Sequence, residues 1–380
     1  MTGDEVSRRK RRHVLSKHMT CVTVSYEADF VTGFSPPRRG TMLTLATLSL
    51  PKRRSFVDQS LLDALHRRTL ELCEHVGMIR ADRMSLRKFR AGRFELLTSL
   101  VYPDADLDQL TICNDFITYL FYVDDQAEED EAYGKHPELL QRYFQSHLAA
   151  LHDGAPVPDD DAAGRLLLDI RARLASRASH AWLKRFADDV QTYLLHGTLV
   201  GARHWTAGTV PSVEAYAAQR RWDSAVLCTQ DLIEIAGAGE LPSRVLRRPE
   251  WVQLRDLCTN VVAFTNDLVS YPKEVLRNGS PNNLVHVIAT HEKLCLEDAI
   301  ERVIEIINDD VALFERVATR LASRGARMDA RLNHYLAGQR AWMFGNLHWS
   351  LETGRYSDPE SPFIELRSGT HSVTAGARVA

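Results

Sequence analysis

From Asp58 onward the apolar positions of this chain recur at intervals of three and four, the pattern of helices packed on one face. It is plainest over 296–323, where Leu296, Ile300, Val303, Ile307, Val311, Phe314, Ala318 and Leu321 form one unbroken stripe. The same pattern predicts helices over 58–79, 83–101, 106–125, 138–152, 163–177, 180–205, 213–236, 250–278, 283–292, 296–323 and 328–352. Turn formers fall between them, among them VYPDAD at 101–106, DGAPVPDDDAAG after 152, and Asn278, Gly279 and Pro281. Pro272, inside 250–278, lacks an N–H and crowds the carbonyl of Leu268, so a kink is expected there. No alternating strand pattern, glycine-rich phosphate loop or internal repeat interrupts the series. The predicted fold is all-α, with one helical domain over 42–357 and a flexible C-terminal tail over 358–380.

Residues 1–41 lack this periodicity and carry SRRKRRH near their start, so they read as a disordered basic tail. Met42, before LTLATLSLP, offers an alternative start. Lys17, His18, Glu27 and Asp29 break any apolar stretch behind the arginines, which argues against an export signal. A hydrophobic content of 44% is enough for a sizeable core, and a net charge of −3 argues against a general nucleic-acid binder. No apolar run is long enough for a membrane span. Cys21, Cys73, Cys113, Cys228, Cys258 and Cys295 have no zinc-ligand spacing and read as buried free thiols of a cytoplasmic protein.

Chemistry concentrates in two stretches. In TNVVAFTNDLVSYPKEVLRNGS, residues 259–280, Asn266, Ser270 and Glu274 recur every four residues, which puts an amide oxygen, a hydroxyl and a carboxylate on one helix face. Such hard oxygen donors suit Mg²⁺ together with substrate phosphate, although a triplet of this kind is also an ordinary solvated face. The apolar helix LDQLTICNDFITYLFYV, 107–123, runs straight into Asp124, Asp125, Glu128, Glu129, Asp130 and Glu131. Acids at a helix C-terminus repel the macrodipole and each other, so a counter-charge is called for. Asp124, Asp125 and Glu128 have DDxxE spacing, while Glu129 to Glu131 read as a solvated loop.

The DDxx(D/E) motif, followed by NDxxSxxKE at Asn266, Asp267, Ser270, Lys273 and Glu274, resembles the class I terpene synthases of bacteria. GNLHWSLETGRY, with Trp349 six residues before Arg355 and Tyr356, is similar to the family's terminal Arg-Tyr pair. Arg220, 46 residues before Asn266, resembles its diphosphate-sensing arginine, with Arg221 as a rival. Asp223 and Ser224 stand where the family has an acidic linker and a small effector, often glycine. The resemblance covers about 45–357 and implies a helical bundle around a central cavity. It further implies three Mg²⁺ ions held by Asp124, Asp125, Glu128, Asn266, Ser270 and Glu274, and a linear isoprenyl diphosphate bound by Arg220, Lys273, Arg355 and Tyr356. Ionisation to an allylic cation and cyclisation would follow, in a dry cavity walled by Phe121 and Trp349, with Phe94 and Tyr122 as weaker candidates. Farnesyl diphosphate is the expected substrate. Geranylgeranyl diphosphate, a chain-elongating prenyl diphosphate synthase and a non-catalytic binding protein are the alternatives, and assembly is open between monomer and homodimer.

Overall fold

The computed structural model describes residues 43–51, 57–79, 83–129, 133, 136–237, 239–323, 330–359 and 361–367; the predicted N-terminal tail, 1–41, lies outside them. The helices are α1 (Gln59–His75), α2 (Arg83–Gly92), α3 (Phe94–Val101), α4 (Leu107–Glu129), α5 (Pro137–Asp153), α6 (Ala162–Ala175) and α7 (His180–Gln191). A π-helical turn, Thr192–Thr198, joins α7 to α8 (Leu199–Ala207). Then come α9 (Val213–Trp222), α10 (Val226–Ile235), the short α11 (Ser243–Leu246) and α12 (Pro249–Tyr271), which continues as a second π turn, Pro272–Arg277. α13 (Leu284–Glu292), α14 (Leu296–Ser323) and α15 (Ala330–Glu352) complete the series. Among the described residues there is no strand, only an isolated bridge between Leu43 and Phe363.

The helices begin where the chain supplies caps. Asp58, Asp161, Ser179 and Ser212 each accept a backbone N–H of the first turn that follows. They end where it supplies left-handed residues, as at Gly154 and Gly208. The long stripe is real: Ile300, Val303, Ile307 and Phe314 of α14 are fully buried, and α14 packs along α12 and α13. α3, α4, α10, α12 and α15 surround a cavity that α8, α9 and the first π turn close from the side.

Three expectations need correction, and the disturbance expected at Pro272 takes the form of a π turn. The helix predicted over 83–101 is interrupted at Arg93, whose φ is 47°. The one predicted over 213–236 is two helices, because the chain turns at 223–225 with Ala225 at φ 57°. At Pro272 the α pattern passes into the π turn, the local answer to the missing N–H. The tail expected from 358 is folded as far as 367. Phe363 is fully buried, the Leu43 N–H donates to the Pro362 carbonyl while the Leu43 carbonyl accepts from the Ile364 N–H, and Glu365 accepts from the Thr44 hydroxyl and Leu45 N–H. Of the cysteines, Cys73, Cys113, Cys228 and Cys258 are buried and free, Cys295 is half-exposed, and Cys21 lies outside the described residues.

Candidate active site

α12 carries the polar ceiling of the cavity. Asn266 Oδ1 accepts from Arg220 Nη2 at 2.8 Å while its Nδ2 donates to the Tyr356 hydroxyl at 2.8 Å, so one amide ties three motifs together. Glu274 lines the cavity from the π turn and accepts from Asn283 Nδ2 at 3.1 Å. Burial pushes the Glu274 carboxyl up and Asp267 adds to the rise, against Arg220, Asn283 and Ser270. Ser270 Oγ is wholly buried with no completed hydrogen bond, close enough to Glu274 to favour its charge. It faces the carboxylate rather than the open cavity.

Across the cavity, α4 ends in Asp124 and Asp125, and the cations that compensate them come from elsewhere in the fold. Arg355 donates to Asp125 at 2.6 and 3.0 Å and to Asp124 at 3.3 Å, and Lys273 Nζ is 3.4 Å from Asp125. Burial raises Asp125, but Arg355 and Lys273 more than offset it and the carboxyl lies below its usual range. Asp124, which opens onto the cavity, is pushed up by its surroundings despite the same two cations. The Glu128 side chain lies outside the described residues, as do Asp130 and Glu131.

The turn between α9 and α10 supplies the third wall. Arg220 donates through Nε to Asp267 at 2.8 Å and through Nη1 to the Asp223 carbonyl at 2.9 Å. Burial works against its charge, and Asp267 outweighs burial, so it stays protonated. Arg221 points to Asp256 at 3.4 Å and is not among the residues lining the cavity. Burial raises Asp223 to about 7, against the pull of Arg220 and with the push of Asp124. Ser224 lines the cavity and ties its hydroxyl to the Arg221 carbonyl at 3.2 Å. Gly197 lies against this turn, so tightly that a Cβ there would fall 2.6 Å from the Trp222 carbonyl oxygen.

Below this polar rim the walls are hydrocarbon and aromatic. Phe121 and Trp349 line the cavity with ring centroids 5.2 Å apart, and Arg355 lies 4.9 Å over the Phe121 ring. Phe94 stacks behind Phe121 at 4.7 Å, and neither Phe94 nor Tyr122 lines the cavity. Ile117, Leu97, Val262, Ala263 and Trp342 continue downward.

Sequence reasoning missed several groups here. Asp267, inside the matched motif, is fully buried and anchors Arg220, the Tyr216 hydroxyl at 2.8 Å and the Leu284 N–H at 2.9 Å. Asn283 holds both the Asp267 carbonyl and Glu274. Trp342 and Asn346 share the face of Trp349 at helical spacing, a signal present in the chain.

The donor set fits magnesium. Among the described residues no three His, Cys, Asp or Glu are gathered at one point. The candidate oxygens are divided between two walls and mix carboxylate, amide and hydroxyl, which leaves positions for water and for phosphate oxygens. The Ser270 hydroxyl oxygen, buried beside Glu274 with no completed hydrogen bond, keeps a lone pair that a cation would take.

Residues 115–312 match the family described as "Terpene synthase family 2, C-terminal metal binding". A (+)-T-muurolol synthase of Roseiflexus castenholzii that cyclises farnesyl diphosphate is 34% identical over 72% of this chain and 83% of its own. A pristinol synthase of Streptomyces pristinaespiralis is 33% identical over 76% and 79%. Among solved structures, 2-methylisoborneol synthase from Streptomyces coelicolor, in complex with Mg²⁺ and 2-fluoroneryl diphosphate, aligns with a TM-score of 0.75 at 25% identity. That alignment covers 84% of this chain and 99% of the other.

Proposed function

The chain belongs to the class I terpene synthase family of bacteria, and from that premise we propose that it is a sesquiterpene cyclase. It takes farnesyl diphosphate, breaks the allylic C–O bond so that the electron pair leaves with diphosphate, and closes the cation into a ring. The observation that carries this reading is a single cavity with a charged rim and an apolar, aromatic floor. Arg220, Lys273 and Arg355 hold charge at the rim, and the Tyr356 hydroxyl adds a donor, so diphosphate is bound and oriented there. Asp124, Asp125, Glu128, Asn266, Ser270 and Glu274 are the residues we assign to hold magnesium, three ions in all. Magnesium, when bound, neutralises the charge of the leaving diphosphate without proton transfer. Asp223 and Ser224 keep Arg220 and the turn below it in register with that group. Phe121 and Trp349 offer ring faces to the cation and keep bulk water from it.

We assign the chain to the cytoplasm, in keeping with its buried unpaired thiols. Among the described residues no helix is long and apolar enough to cross a membrane. The test is incubation with geranyl, farnesyl and geranylgeranyl diphosphates and Mg²⁺, reading diphosphate release and the extracted products by mass spectrometry. Cyclic products from farnesyl diphosphate are expected; turnover only on geranylgeranyl diphosphate would make it a diterpene cyclase, and longer linear diphosphates a chain elongase.

A further inference from the structure

The floor of the cavity contains a polar group that ionisation does not use. α15 runs from floor to rim, with Arg355 and Tyr356 just past its end, and Trp349, Asn346 and Trp342 descend its inner face at steps of three and four. Asn346 therefore stands about 4.5 Å further down the axis than Trp349, at 1.5 Å per residue. It is 5% exposed and lines the cavity beside Val262. Its Nδ2 makes one long contact, 3.3 Å, to the Val262 carbonyl, and its Oδ1 accepts from no group among the described residues.

The other polar groups at this depth are committed or sealed off. The Thr229 hydroxyl donates to the Val226 carbonyl at 3.0 Å. The Trp342 indole packs edge-on against Tyr102, centroids 5.7 Å apart, and its Nε1 is shut away from the cavity. Thr198 Oγ1 also lacks a completed hydrogen bond, but it stands beside Asp223 at the rim. An amide oxygen left without a donor on the wall of the cavity is unfavourable, and the cheapest remedy in a roomy site is one retained water.

We propose that Asn346 is a specificity-determining residue that keeps one water in the floor of the cavity, and that the product is consequently a terpene alcohol. This rests on the cyclase reading above. The water lone pair forms a C–O bond to the final cation, and the oxonium then loses one proton to the departed diphosphate. Loss of a proton directly from carbon, which gives a hydrocarbon, is the route that Asn346 suppresses.

The experiment is incubation of the full chain with farnesyl diphosphate and Mg²⁺ in ¹⁸O-water, for wild type and for Asn346→Leu and Asn346→Ser, with diphosphate release measured in parallel. Wild type should yield an alcohol carrying ¹⁸O. Asn346→Leu, which keeps the branch at Cγ without polar atoms, should lower the alcohol-to-hydrocarbon ratio about tenfold, the scale of one uncharged hydrogen bond, while diphosphate release stays within about threefold. Asn346→Ser should recover part of the ratio, which a purely structural role would not produce. An oxygen-free wild-type product, or an unchanged ratio in Asn346→Leu, overturns the inference and leaves the cyclase reading standing. Absence of diphosphate release from wild type overturns both.

Discussion

Asn266 accepts from Arg220 with its oxygen and donates to Tyr356 with its nitrogen, so no smaller side chain replaces it. Asn266→Ala and Glu274→Ala should each lower turnover by at least about a hundredfold, the loss common when one charge-stabilising group is removed. Ser270→Ala should be milder, since water substitutes for a hydroxyl ligand, and Glu305→Ala, an exposed residue of α14, should change nothing. Steady-state rates at limiting Mg²⁺ check all four; near-normal turnover in Glu274→Ala would remove the metal assignment at 266–274. Asp223 gives a prediction in pH. Its folded pKa, about 7, lies above the ordinary 3.8, so the native state binds the extra proton and this contribution to stability fades as pH rises from about 4 to 7. Asp223→Asn lacks the titration, and its melting temperature without metal or substrate should gain on wild type between pH 5 and pH 7.5; equal pH profiles would refute the shift. Residues with a repeat of four or a named motif were legible in the chain. The anchoring role of Asp267, which sits inside that motif, and Asn283 altogether were not, because a buried carboxylate and the amide that braces it carry no periodicity and declare themselves only when α12 meets α13.

The helices themselves follow from periodicity and caps, and the predicted stripe of α14 is the buried one. The breaks are another matter. No glycine or proline marks the turn at 223–225, since the left-handed residue is Ala225. What holds the turn is contact with the first π turn, where Gln219 Nε2 donates to the His196 and Gly197 carbonyls at 2.6 and 3.0 Å. Gly197→Ala would press a methyl into the Trp222–Asp223 backbone, which cannot move aside as a side chain would. A misplacement near 1 Å can lower rates about a hundredfold, so the maximal rate should fall between about ten- and a hundredfold, with little change in KM and an intact helical circular dichroism spectrum. A rise in KM alone would mean that Gly197 shapes entry to the cavity and not the turn.

The molecule is closed by its own ends. The segment from Leu43 pairs with 361–367, and Arg277, in the π turn below Glu274, bridges to Asp358 at 2.7 Å. The Thr353 hydroxyl donates to the Ala91 and Gly92 carbonyls, so Arg355 and Tyr356 are tethered on both sides. Phe363→Ala should therefore cost about 3 kcal/mol, read by denaturant unfolding, and a chain stopped at 357 should melt earlier and turn over more slowly. Wild-type stability in the shortened chain would show that the clasp is dispensable. Residues 1–41, outside the described part, should be removable with neither effect, as measured on a chain beginning at Met42. Three helices of the cavity carry both kinds of wall. α4 has Asp124 above Ile117, α12 has Asn266 above Val262, and α15 leads to Arg355 above Trp349 and Trp342. Substitutions in the lower turns can thus accumulate while the apparatus that fires the reaction stays untouched. A lineage with this layout can pass from one product to another through active intermediates, and mutational drift in it should appear first as mixtures and only later as loss.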